Sequence, residues 1–256
     1  MLSDLTAGAL ADAAARREYA SYEQVEKAAL AQVPALNALE FLAPSNHIKV
    51  IAEVKRASPS RGDLSPIADP AALARTYAAN GASTISVLTE GRKFKGTLDD
   101  LRAVRAEVSV PVLRKDFIAE RYQILEARAA GADIVLLIVA ALDQELLAEL
   151  NEFALSLGLS VLVETHSREE LHRALDIDAK LIGINARNLN TFELDRDLFA
   201  SLVGEIPSDV IKVAESAVRN ATDVQHYRDA GADVVLVGEA LVTSDPAATL
   251  QSFLAV

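Results

Sequence analysis

Glu53 and Lys55 stand two residues apart at the end of the apolar run Ile48–Val54. Side chains alternate along a strand, so this carboxylate and this ammonium face the same way. Lys115 closes the run Val110–Leu113, Glu164 follows Leu159–Val163, Asn185 follows Leu181–Ile184, and Glu215 follows Val210–Ala214. Residues of these types are equipment for proton transfer. Lysines donate, carboxylates accept, and each sets the ionisation of the other. Any one of these charges alone is satisfied as a loop residue or a structural ion pair. Two lysines and three glutamates at the ends of four apolar strands are costly to gather in one place unless they are used.

Other residues at the same strand ends fit more than one role. Ser216 and Gly238 can build a phosphate site from a hydroxyl and a closely approaching backbone, or can serve as an ordinary cap and a tight turn. Phe94 and Phe117 can wall an aromatic ligand or pack in the core. Arg187 can meet a phosphate or pair with an acidic neighbour. His166 can line the site or belong to its loop. No two histidines stand at metal-ligand spacing, and no G-x-S-x-G, H-E-x-x-H or P-loop occurs.

The elements that must position these residues are short apolar runs rich in Val and Ile, the pattern of strands covered on both faces in a parallel sheet. Besides those above they are Thr84–Leu88, Ile134–Val139 and Val234–Val237. Helical patterns lie between them. Asp69-Pro70 caps and starts one; Leu98, Leu101, Val104 and Val108 mark a second; Leu146 through Leu157 marks another. Gly81, Gly131, Gly158 and Gly231 stand where a helix must stop before a strand. Strand ends fall near residues 55, 89, 115, 138, 164, 185, 215 and 238. Eight βα units of this size predict an α/β fold, a (β/α)8 TIM barrel, whose active site lies at the C-terminal ends of its strands. The competing doubly wound sheet carries a Gly-rich first turn that is missing here. About 46 residues precede the first strand, with helices expected over Leu5–Glu18 and Tyr22–Gln32. They read as an N-terminal helical extension packed on one barrel domain spanning 1–256.

Composition narrows the function. The 256 residues carry a net charge of −12, which repels phosphate backbones and argues against nucleic acid as a partner. The chain has no Cys, which removes disulfides, thiolate metal sites and cysteine nucleophiles. The N-terminus lacks a basic stretch leading into an apolar run, and no segment approaches the roughly 18 apolar residues of a membrane span, so a cytoplasmic protein without a membrane partner is expected.

The segment Ile51-Ala52-Glu53-Val54-Lys55-Arg56-Ala57-Ser58-Pro59-Ser60 resembles the signature of the indole-3-glycerol-phosphate synthase family. Leu88-Thr89-Glu90, Phe94-Lys95-Gly96-Thr97-Leu98 and Leu113-Arg114-Lys115-Asp116-Phe117 extend the likeness. So do Leu162 to His166, Gly183 to Leu189 and Val237 to Leu241, until it covers essentially the whole chain. The resemblance implies a lyase of tryptophan biosynthesis. Such an enzyme converts 1-(2-carboxyphenylamino)-1-deoxyribulose 5-phosphate to indole-3-glycerol phosphate by ring closure, loss of CO2 and loss of water. It implies Lys115 as the acid for ring closure and Lys55 with Glu164 for dehydration. Glu53 and Glu215 would tune the lysines, and Asn185 would bond the ribulose portion. It further implies Ser58 near the substrate carboxylate, Phe94 and Phe117 against the anthranilate ring, and Ser216, Ala217, Gly238 and Glu239, with Arg187 nearby, around the phosphate. No cofactor or metal is implied, and the default state is a monomer.

One position departs from the family pattern. Glu215-Ser216-Ala217 stands where the family usually reads Glu-Ser-Gly. Alanine keeps the backbone N–H but disfavours positive φ, so residue 217 is expected at negative φ. The rival functions are a sugar-phosphate isomerase or epimerase on the same fold, and an inactive barrel kept for binding. The first has no use for the Glu53, Lys55, Lys115 and Glu164 set, and the second would not need it intact. The Ser-Pro-Ser-Arg-Gly stretch of the long loop Arg56–Ile67 reads as turn-rich and able to close over substrate.

Overall fold

Eight parallel strands close on themselves in the computed structural model, which describes residues 1–256. They are β1 (Lys49–Val54), β2 (Thr84–Leu88), β3 (Val112–Lys115), β4 (Ile134–Ile138), β5 (Ser160–Thr165), β6 (Leu181–Asn185), β7 (Ile211–Glu215) and β8 (Val234–Val237). Each pairs with its neighbours in chain order, and β8 pairs with β1 to complete the ring. This is the expected (β/α)8 barrel. The β3 ladder begins two residues later than the apolar run suggests, because Pro111 has no N–H to give it. At the other end β3, β5, β6 and β7 run past their apolar runs to include Lys115, Glu164, Asn185 and Glu215.

The alternation is clean. Val50, Ala52 and Val54 pack outward against the helices, while Ile51 belongs to a second, interior cluster with Leu113, Leu136, Leu162, Val213 and Leu236. Glu53 and Lys55 share the inward face of β1 with Ile51. Likewise Lys115 lies above Leu113, Glu164 above Leu162, and Glu215 above Val213. The barrel interior is therefore apolar below and charged at its C-terminal rim.

The outer helices are α4 (Pro70–Ala79), α5 (Leu98–Glu107), α6 (Arg121–Ala129), α7 (Gln144–Ser156), α8 (Arg168–Asp176), α9 (Leu198–Leu202), α10 (Ala221–Asp229), α11 (Glu239–Val242) and α12 (Pro246–Leu254). Asp69 caps α4 by accepting from the Ala72 N–H, with Pro70 in the first turn as its sequence predicts. The four helix-ending glycines all take left-handed φ, from +76° at Gly158 to +103° at Gly231. No helix is long and apolar enough to cross a membrane.

The extension holds α1 (Leu2–Arg17), α2 (Tyr22–Leu30) and a short α3 (Ala38–Leu42) with too few residues to show a helical period in the sequence. Leu2 and Leu5 of α1 and Ala38 and Leu42 of α3 join the interior cluster, and α2 lies along α6. Arg16 reaches Glu126 of α6 at 2.5 Å, and Glu126 in turn holds the fully buried Arg114 of β3. Leu36 donates its N–H to Asp133 at 2.8 Å, at the opposite end of the barrel.

Candidate active site

The rim of the barrel encloses a cavity of about 800 Å³, and every residue singled out from the sequence lines it except His166, which lies behind Glu164. Glu53, Lys115, Glu164, Asn185 and Glu215 arrive from the last inward positions of β1, β3, β5, β6 and β7, and Lys55 from the residue that follows β1. Ser58 comes from a two-strand hairpin (Ala57–Ser58 with Gly62–Asp63) in the loop after β1. Phe94 and Phe117, from the loops after β2 and β3, stand with ring centroids 6.1 Å apart at 40°.

Charges in the rim are paired in two groups. Lys55 Nζ lies 2.8 Å from Glu53 Oε1. Lys115 Nζ sits between two buried carboxylates, 3.0 Å from Glu215 Oε2 and 3.3 Å from Glu164 Oε2. Asn185 Nδ2 donates to Glu164 Oε1 at 3.0 Å, and Ser216 Oγ donates to Asn185 Oδ1 at 2.8 Å. The rim is thus one connected polar network running from β3 to the loop after β7.

Two glycines make room for it. A Cβ on Gly183 would overlap Glu215 Oε1, and one on Gly238 would crowd Glu53 Oε1 and Lys55 Nζ. Gly238 therefore serves a close approach, although the side chains that come close are the acid–base pair of β1.

Burial would strip Lys115 of its charge, but Glu215, Glu164 and Glu53 outweigh burial and hold the lysine well above its ordinary value. Two carboxylates share this one ammonium, and their ionisation splits accordingly. Glu164 is driven far below the carboxylate range: burial opposes this, but Lys115, His166 and Asn185 prevail. Burial and the charge of Glu164 push Glu215 up to about 8, against the pull of Lys115. Glu53 is lowered, because Lys55 and Lys115 overcome its burial.

The loop after β7 overturns one expectation. Ala217 has φ +58° and follows Ser216 at φ +69°, so two successive non-glycine residues are left-handed. The surroundings hold this turn in place. Ser216 Oγ is bonded to Asn185, the Tyr227 hydroxyl donates to the Ser216 carbonyl at 3.4 Å, and the Arg219 N–H donates to Asp223 at 2.8 Å. The N–H groups of Ser216, Ala217, Val218 and Gly238 find no acceptor within the protein. Backbone donors turned free in this way form an anion-binding concavity. Arg187 stands nearby, its guanidinium donating to the Phe192 carbonyl at 3.2 Å. Glu239 also lines the cavity, with its carboxylate engaged by Arg61 at 2.9 Å.

Leu5, Arg61 and Arg219 line the cavity as well and escaped the sequence reading. Leu5 comes from α1, far outside the βα repeat, and nothing in the sequence marks it. Arg61 and Arg219 lie in loops, where a cation is ordinarily solvated.

A closed (β/α)8 barrel with buried lysine–carboxylate pairs at its rim beside free backbone donors defines an acid–base enzyme for a small anionic substrate. Comparison with known proteins narrows this class. The sequence profile of the indole-3-glycerol phosphate synthase family matches residues 2–253, and the chain belongs to that family. It is 66% identical over 253 residues to the indole-3-glycerol phosphate synthase of Leifsonia xyli subsp. xyli, covering 99% of this chain and 97% of that protein. The corresponding protein of Mycobacterium ulcerans is 54% identical over 98% of this chain and 92% of its own. Among solved structures, a thiamine phosphate pyrophosphorylase from Pyrococcus furiosus aligns with a TM-score of 0.62 at 14% identity, over 80% of this chain and 93% of that one. That last likeness reflects the shared fold.

Proposed function

We propose that the chain works as an indole-3-glycerol-phosphate synthase, with the rim residues in the following roles. The observation that carries the reading is Lys115, a buried ammonium held between Glu164 and Glu215 at the floor of the cavity. As the anthranilate ring carbon bonds to the ketone carbon, Lys115 gives a proton to the ketone oxygen. The carboxyl group leaves as CO2, and its bonding electrons restore the six-membered ring. Lys55 then gives a proton to the departing hydroxyl, which leaves as water. Glu164 takes the proton released as the five-membered ring becomes aromatic.

Glu53 pairs with Lys55, and Glu164 and Glu215 flank Lys115. Asn185 holds the ribulose portion, and Ser58 meets the substrate carboxylate. Phe94 and Phe117 hold the anthranilate ring between apolar faces. The phosphate lies against the free N–H groups at Ser216, Ala217 and Gly238, with Arg187 beside it. Arg61 offsets the charge of Glu239, which would otherwise repel that phosphate. The cysteine-free composition suits a reducing compartment. The reading is of a cytoplasmic protein acting on a small phosphorylated substrate, with a monomer as the default state.

Mixing the protein with the carboxyphenylamino-deoxyribulose phosphate tests this directly. Indole fluorescence should appear in step with consumption of the substrate. Binding without any fluorescence would return the chain to the class of inactive barrels.

A further inference from the structure

His166 belongs to none of the roles above, yet it is the only other titratable side chain touching Glu164 besides Lys115 and Glu215. It follows β5 directly, and its largely buried ring lies between Glu164 and α8. Nε2 lies 3.2 Å from Glu164 Oε1. Nδ1 lies 3.1 Å from Glu170 Oε2, in the first turn of α8, and the His166 backbone N–H donates to the same oxygen at 2.7 Å. Glu170 thus anchors both the ring and the backbone of His166 and presents the far edge of the imidazole to Glu164.

The two oxygens of Glu164 are consequently unlike. Oε1 accepts a hydrogen bond from Asn185 and is in ion-pair contact with His166 Nε2, which makes no hydrogen bond. Oε2 is buried, makes no hydrogen bond, and points at Lys115. A carboxylate that accepts a proton in a defined geometry must present one oxygen to the substrate and be prevented from rotating. We propose that His166 is a positioning residue for the reaction: braced by Glu170, it pins Glu164 Oε1 so that Oε2 is the oxygen that takes the proton. This rests on the reading of Glu164 as the base.

The charges around the pair favour this. From β3 comes Lys115, from β7 Glu215, from β1 Glu53, and from α8 Glu170; no second cation besides His166 lies against Glu164. Burial works against a charged imidazole, but Glu164 and Glu170 hold it protonated, pushed up to about 10. Once Lys115 has passed its proton to the substrate, His166 is the positive charge that remains on Glu164.

The test uses the full-length protein and the carboxyphenylamino-deoxyribulose phosphate. His166→Ala should lower kcat about tenfold with KM within about twofold, the signature of a misaligned catalytic group rather than lost binding. His166→Gln places its amide nitrogen near the position of Nε2 and should recover most of that loss. A spacer role would instead leave kcat untouched in both variants. If His166→Ala does not fold, Glu170→Ala releases the ring and should give the same kcat loss at unchanged KM. Wild-type kcat in folded His166→Ala or Glu170→Ala overturns the proposal. Glu164→Gln serves as the control: if it retains full turnover, the assignment of the base fails; if it is inactive while His166→Ala is normal, only the role of His166 fails.

Discussion

Gly183 on β6 and Glu215 on β7 occupy one space: the Glu215 carboxylate lies where a side chain at residue 183 would begin. The glutamate that holds Lys115 can lie inside the barrel only because its neighbouring strand has nothing there. Gly183→Ala should therefore displace Glu215 from Lys115. Turnover should fall by about tenfold or more, and crowding should cost about 1–3 kcal/mol of stability. Kinetics and denaturant unfolding of the variant check both, and an alanine variant normal in each would show that Glu215 is free to move.

Lys115→Ala removes the proton donor aimed at the ketone. General acid catalysis contributes about 10²–10⁴-fold. Turnover should fall within that range or below detection while circular dichroism shows the barrel intact. A folded variant with near-normal turnover would strip Lys115 of its role.

Glu164→Gln keeps the shape of the side chain and its contact with Asn185 but cannot take a proton. It should lower kcat by at least about 10²-fold with little change in KM. A large rise in KM at normal kcat would make Glu164 a binding residue instead.

Ala217 holds a φ of +58°, which glycine adopts without strain. Relief of that strain exceeds the extra freedom glycine brings to the unfolded chain. Ala217→Gly should thus raise stability by up to about 1 kcal/mol. Chemical denaturation measures it, and a loss of stability would show that the methyl group packs better than its backbone strain suggests.

His166 links stability to pH. Its folded-state value, about 10, lies above the ordinary 6.5. Its contribution is therefore complete below that ordinary value and is lost as pH rises through about 10. Melting temperatures measured from pH 6 to 10 should fall more steeply for the natural protein than for His166→Gln. Parallel curves would mean that the imidazole is not charged in the fold.

Strand periodicity made the barrel and its rim legible. Apolar runs ending in Glu53-Val54-Lys55, Lys115, Glu164, Asn185 and Glu215 carry both the strand and the direction of its last side chains. What stayed hidden depends on tertiary geometry. The left-handed turn at Ala217 is imposed by Asn185 at the end of β6 and by Tyr227 and Asp223 on α10, and overrides the local preference of alanine. Leu5 enters the cavity from a helix outside the repeat. The split between Glu164 and Glu215 arises from sharing Lys115, which is a property of three strands together and of none alone.

The extension has a consequence for how the chain comes to be folded. Its partners are late in sequence: Arg16 meets a residue 110 positions on, the Leu36 N–H one 97 positions on, and the Asn46 carbonyl accepts from Arg228, 182 positions away. During synthesis the first helices leave the ribosome with their apolar faces bare, because the strands and helices they cover do not yet exist. Closing such long loops is also entropically slow. The extension must wait for half the barrel before it can dock, so Leu2, Leu5 and Leu42 stay exposed until the strands they pack on have been made.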